Sequence, residues 1–292
     1  MNPEPRAPAP ALLAEARRYD PERTLCLLFA PAERRSELAA LVLLNHELAR
    51  VAEIVRQPLT GAIRLRFWRD QLARAAGGQR PDLPIARALA APLRDGRLTL
   101  AELEALIEAR GGELDALLDP AADPGGPPPT VDTIEARVRA TAGGLARAMG
   151  RLLEAPEREL AAAEEAGTAY GLVGIVRATF AEAGRSRRPG TRSLLELAEL
   201  RSGQEWDEAS RVRLRALAEP FLARAAVSIA AARRAGRSAD RARLAPLLLA
   251  TIAETQLRRL QRVGRDPARL AGAPRSPLLP IRLLLAWVRR RP

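Results

Sequence analysis

The chain has 292 residues, 47% of them apolar, and 47 basic against 35 acidic residues give it a formal charge of +12. That length and apolar content suffice for one large core, and no shift of composition divides it. Every basic residue is Arg and Asn occurs only at positions 2 and 45, a pattern of GC-rich coding rather than of a basic stripe with interleaved aromatics.

Arg and acidic residues alternate along the chain, as in Glu33-Arg34-Arg35, so no nucleic-acid partner is expected. Aromatics are 3%, β-branched residues are sparse, and Ala, Leu, Glu and Arg fill most windows, which predicts an all-α fold. Cys26 is the only cysteine, which excludes an intramolecular disulfide and fits a reducing cytoplasm. Residues 1–20 are Pro-rich, lack a continuous apolar run and do not read as a secretory signal; residues 1–19 are expected to be flexible.

The first strong pattern lies at 40–70. Leu41, Leu44, Leu48, Val51 and Val55 recur at steps of three and four, one apolar stripe of a helix, with His46, Arg50 and Glu53 on a separate polar stripe. Gln57-Pro58 ends that helix, and after Gly61 a second helix is predicted with Ile63, Phe67, Trp68 and Leu72 facing inward. Thr99 to Glu102 fits a capping box, and Ser276-Pro277 fits a helix start. The Pro/Gly-rich stretch 119–129 is read as a loop inside one bundle. Helices are expected at roughly 130–153, 157–183, 205–235, 241–264 and 277–290. Residues 278–288 are apolar but span only about 16 Å as a helix against a hydrocarbon core of about 30 Å. That last helix either lies in a membrane interface or docks on the bundle.

In 167–190, Gly167, Gly171, Gly174 and Ala178 fall at i, i+4, i+7 and i+11, which leaves one helix face nearly bare. Each interior Gly costs about 1 kcal/mol against Ala, so the face needs a reason: close approach of another helix, or room for an apolar chain. No Gly-x-x-x-x-Gly-Lys loop, Gly-x-Ser-x-Gly elbow, His-x-x-x-His pair or Cys-x-x-Cys is present.

The phrases LFAPAERR, LNHELARV and GAIRLRFWRD resemble the first signature region of the squalene/phytoene synthase superfamily, and more closely its branch of mitochondrial complex I assembly factor relatives. The resemblance implies one domain over 1–292, an isoprenoid-synthase-like helical bundle with a central cavity. The enzymes carry an Asp-Asp-x-x-Asp motif where this chain reads Ala49-Arg50-Val51-Ala52-Glu53. Their second motif is roughly Gln-x-x-Asn-x-x-Arg-Asp, against which Gly171 stands for the Gln, Gly174 for the Asn, Arg177 for the Arg and Ala178 for the Asp, with Glu182 near a further acid. Gly143 and Gly144 stand where the family has another small-residue helix.

Those acids hold the Mg²⁺ that neutralises a departing diphosphate. With most of them missing, the resemblance implies a catalytically degenerate protein with no catalytic residue, no metal ligand and no cofactor. Its expected role is respiratory complex I assembly or prenyl-lipid binding. The alternative is an active head-to-head prenyltransferase using Mg²⁺ at Glu53 and Glu182. The candidate cavity or prenyl-diphosphate residues are His46, Arg50, Glu53, Gly171, Gly174, Arg177 and Glu182, with Arg66 or Arg69 as further phosphate donors. Expected partners are a prenyl diphosphate or isoprenoid lipid, a respiratory membrane complex, and the inner face of the cytoplasmic membrane through the last helix.

Overall fold

Apolar periodicity turns the chain into a succession of helices joined by short turns. The structure, a computed structural model, describes residues 9–55, 57–118, 130–181, 194, 197, 207–262 and 276–292. They form α1 (Ala9–Tyr19), α2 (Pro21–Leu27), α3 (Arg35–Ile54), α4 (Pro58–Ala76), α5 (Pro84–Arg94), α6 (Leu100–Leu118), α7 (Val131–Val138), α8 (Gly144–Leu152), α9 (Glu157–Ala181), α10 (Glu208–Gly236), α11 (Leu249–Arg262) and α12 (Leu279–Arg289). A π-helical turn, Arg139–Gly143, joins α7 to α8. The fold is all-α as expected, with no strand among the described residues. The loop expected at 119–129, and Glu182, lie outside the described residues. No described helix is long and apolar enough to cross a membrane.

Polar side chains set the helix starts. Asp20 accepts the Arg23 backbone N–H at 3.0 Å, and Pro21 begins α2, where its missing donor costs nothing. Thr99 and Glu102 exchange the two bonds of a capping box, at 3.2 and 2.9 Å. Asp207 caps α10 by accepting from the Ser210 N–H at 2.8 Å. The last helix begins at Leu279 rather than at Ser276-Pro277, which form a turn ahead of it. Residues 9–19, expected as a flexible lead-in, form α1, with Leu12 and Ala16 buried where it packs on α3.

The α3 stripe of Leu41, Leu44, Leu48, Val51 and Val55 is buried throughout. On α4 the buried side differs in part from the one the sequence predicts. Leu65, Trp68 and Leu72 are buried, but Ile63 and Phe67 are 59% and 46% exposed. The helix presents its Gly61, Leu65, Trp68 and Leu72 side to its neighbours α3, α5 and α6, which turns Ile63 and Phe67 outward. One apolar cluster joins α1, α3–α6 and α8 through residues such as Leu44, Leu103 and Met149. A second joins α7 and α9–α12 through Leu172, Phe221, Ile252 and Leu283. The short α2 takes part in both, with Cys26 in the second cluster and Leu27 in the first.

Candidate functional site

The α1–α2 corner carries charge into the interior. Glu22 lies in the first turn of α2 and is 6% exposed, so its carboxylate needs partners from elsewhere in the bundle. Arg177 on α9 supplies a fork, with Nη1 donating to Oε1 at 3.1 Å and Nη2 to Oε2 at 3.2 Å. The Tyr170 hydroxyl donates to Oε2 at 3.4 Å, and Gln256 Nε2 on α11 donates to the same oxygen at 2.6 Å. Next to Glu22, Arg23 is 5% exposed, donates to Asp20 and lies 4.9 Å from the Tyr170 ring centroid, a cation–π contact. Two carboxylates and two guanidiniums therefore balance in one cluster. Buried Arg23 Nε and Gln256 Oε1 have no hydrogen-bond partner among the described residues.

The cluster's electrostatics favour holding charge over moving protons. Burial pulls the Arg177 guanidinium down, and the Glu22 carboxylate more than offsets it, so the group is held above its ordinary range. Arg23 follows the same pattern, with burial outweighed by Asp20 and its neighbours. Burial pushes the Cys26 thiol and the Tyr170 phenol up, so neither offers a thiolate or phenolate near neutral pH.

The predicted residues divide around this corner. His46 on α3 stacks on Tyr19 at the end of α1, with ring centroids 4.2 Å apart and planes 18° from parallel. Its Nε2 is buried without a partner among the described residues, and burial holds its pKa below the usual value, with Glu47 pushing the other way. It thus packs on an aromatic ring, at a position the sequence places on a polar stripe with Arg50 and Glu53. Arg50 pairs with Glu47 at 3.6 Å, and Glu53 is half-buried on the same helix. Arg177 reaches the cluster. Arg66 does not: it is exposed and pairs with Asp70 at 3.0 Å.

The bare face of α9 serves the close approach of other helices at two of its glycines. A Cβ at Gly167 would stand 2.3 Å from the Ala142 carbonyl oxygen, and one at Gly171 would stand 2.6 Å from Val138 Cγ1, so both exist for close approach of α7 and the π turn. Gly143 answers from the other side, where a Cβ would meet Thr168 Oγ1 at 2.6 Å. Gly174 is different, because a Cβ there would meet nothing within 4 Å. It falls between Tyr170 and Arg177 at i, i+4 and i+7, so its open space adjoins the polar cluster.

Glu22, Arg23, Tyr19, Tyr170 and Gln256 were missed in the sequence. One signal was available: in an Arg-, Ala- and Leu-rich chain, both tyrosines, the only histidine and the only cysteine fall at or beside this corner.

An active member of the resembling superfamily implies Mg²⁺, and no ligand set for it forms among the described residues, which do not include Glu182. Asp20 and Glu22 are bound to guanidiniums, position 178 is Ala, and no three or more His, Cys, Asp or Glu side chains converge on a possible metal position among the described residues.

Comparison with known proteins places these features in a family. The family model for squalene/phytoene synthase matches residues 16–282. A dehydrosqualene synthase crystal structure superposes with a TM-score of 0.71 at 17% identity, covering 96% of this chain and 95% of that one, which is a likeness of fold. Complex I assembly factor 6 of Bos taurus is 34% identical over 99 residues, and that of Homo sapiens 33% over the same length. Each match spans 34% of this chain and 30% of the relative, so the chain covers about a third of the length of those relatives.

Proposed function

The chain belongs to the squalene/phytoene synthase family, and from that membership we propose that it is a non-catalytic member acting in the assembly of a respiratory membrane complex, with a prenyl-lipid-binding fold retained. The observation that carries the reading is the bidentate Glu22–Arg177 pair. Arg177 stands at the Arg of the family's second motif, and its fork is already closed on an internal carboxylate. A catalyst of diphosphate ionisation needs the opposite arrangement, with carboxylates facing a metal and cations free for the leaving group. The partial likeness to complex I assembly factor 6 supports the choice of assembly as the role.

On this reading the protein works in the cytoplasm at the inner face of the cytoplasmic membrane. The outward row on α12, Leu278, Ile281, Leu284, Leu285 and Val288, each 44–54% exposed and followed by Arg289, Arg290 and Arg291, supports peripheral contact there.

The test is turnover. Folded protein incubated with farnesyl or geranylgeranyl diphosphate, Mg²⁺ and NADPH is expected to release no diphosphate above an empty-vector preparation. Release would overturn the reading in favour of an active head-to-head prenyltransferase. Deletion of the gene in its source organism is expected to lower the amount of assembled NADH dehydrogenase, measured on native gels, and unchanged assembly would remove the respiratory role.

A further inference from the structure

Arg177 already holds an anion, and the geometry by which it does so is the one a phosphate would use. Two guanidinium N–H groups at 3.1 and 3.2 Å meet two oxygens of one acceptor, the fork pattern that makes Arg suited to phosphates as well as carboxylates. We infer that Glu22 is a specificity-determining residue: its carboxylate occupies the position of a ligand's diphosphate, so the site rejects anionic head groups and becomes an anion site once that charge is removed. The inference rests on reading the cluster as the head-group end of a non-catalytic prenyl-lipid site.

Three observations support it. First, donors from two helices converge on Glu22: Arg177 and Tyr170 from α9, and Gln256 from α11. A side chain merely neutralising one arginine would not need the other two. Second, the exposures differ within the pair. The Arg177 side chain is 40% exposed and the Glu22 side chain 8%, so a dissolved anion can approach Arg177, whereas Glu22 cannot swing into water without leaving Tyr170 and Gln256. An arriving diphosphate would meet a like charge held in place. Third, the space beside Gly174, one turn from Arg177, is open, so a head group would have room there if the charge allowed it.

The test is a titration without Mg²⁺, which keeps it separate from turnover. Inorganic diphosphate and farnesyl diphosphate are titrated calorimetrically into the wild type, E22Q, R177Q and E22Q/R177Q. The amide introduced by E22Q keeps the shape and one acceptor for Arg177 while leaving the cluster with net positive charge. Wild type is expected to give no saturable binding of inorganic diphosphate, and E22Q to bind it at least about tenfold more tightly, the worth of one charge-assisted hydrogen bond. The gain is expected to vanish in the double variant. E22A, which removes the carboxylate and leaves room for the anion, repeats the arm should E22Q fail to fold. Saturable wild-type binding that R177Q abolishes would overturn the inference. So would a folded E22Q or E22A, verified by circular dichroism, that binds no better than wild type.

Discussion

Gly167, Gly171 and Gly174 share one helix and serve unlike ends, which alanine substitution separates. At Gly167 the added Cβ would overlap a backbone carbonyl at 2.3 Å, and a carbonyl inside a helix moves only with its helix. Gly167→Ala is therefore expected to cost about 1–3 kcal/mol, the usual range for forced overpacking. Gly174→Ala meets open space and is expected to gain about 0.5–1 kcal/mol by restricting the unfolded chain. Urea denaturation of the two variants decides it, and equal effects would remove the close approach of α9 to the π turn. The spacing of these glycines was visible in the sequence, but which faced a helix and which faced space was not, because that depends on α7 and the π turn, separate elements earlier in the chain. Glu22 was hidden more deeply. Its partners Tyr170, Arg177 and Gln256 lie 148, 155 and 234 residues away, beyond any local period, and a Pro-Glu-Arg sequence reads as an ordinary helix start.

At the scale of elements, the stripe predicted buried on α3 is buried, and so are Ala39, Ala40, Val42 and Leu43 beside it, because neighbours pack around the first half of that helix. On α4, Ile63 and Phe67 compete with Leu65, Trp68 and Leu72 for the inward side, and the neighbouring helices decide between them. The same competition occurs on α12, which docks on the bundle by one side only. Leu279, Leu283 and Ala286 dock the helix, while Ile281, Leu284, Leu285 and Val288 face out. Leu283→Ala is expected to cost about 2–5 kcal/mol, as for a fully buried Leu. The double variant I281S/L285S is expected to leave stability within about 0.5 kcal/mol of wild type, since both side chains are about half exposed. It is expected to reduce co-sedimentation with phosphatidylglycerol vesicles. Undiminished co-sedimentation would mean the outward row has no part in membrane contact.

Across the whole molecule, the question is whether the two apolar clusters unfold together. A chain of this length often unfolds in parts, and the clusters have largely separate memberships. Three connections argue for a single event. Consecutive residues Cys26 and Leu27 of α2 belong to different clusters, so α2 cannot leave one without disturbing the other. Its buried Glu22 is tied to α9 and α11 by charge-assisted bonds, and leaving that carboxylate unpaired would be costly even though Arg177 itself is part-exposed. Arginine ties also cross between helices of the two clusters, as Arg147 on α8 does to Glu157 at 2.5 Å and to Glu164 at 3.7 Å on α9. The tryptophans allow the test. Trp68 is buried in the first cluster, and Trp287 packs against the second with its ring centroid 5.9 Å from that of Phe29. In variants that keep one of the two and carry Phe at the other tryptophan positions, fluorescence during urea unfolding is expected to give coincident midpoints and slopes. A Trp287 transition that completes before Trp68 begins to change would show that the bundle is two cooperative units, with the α2 corner a joint between them rather than part of one core.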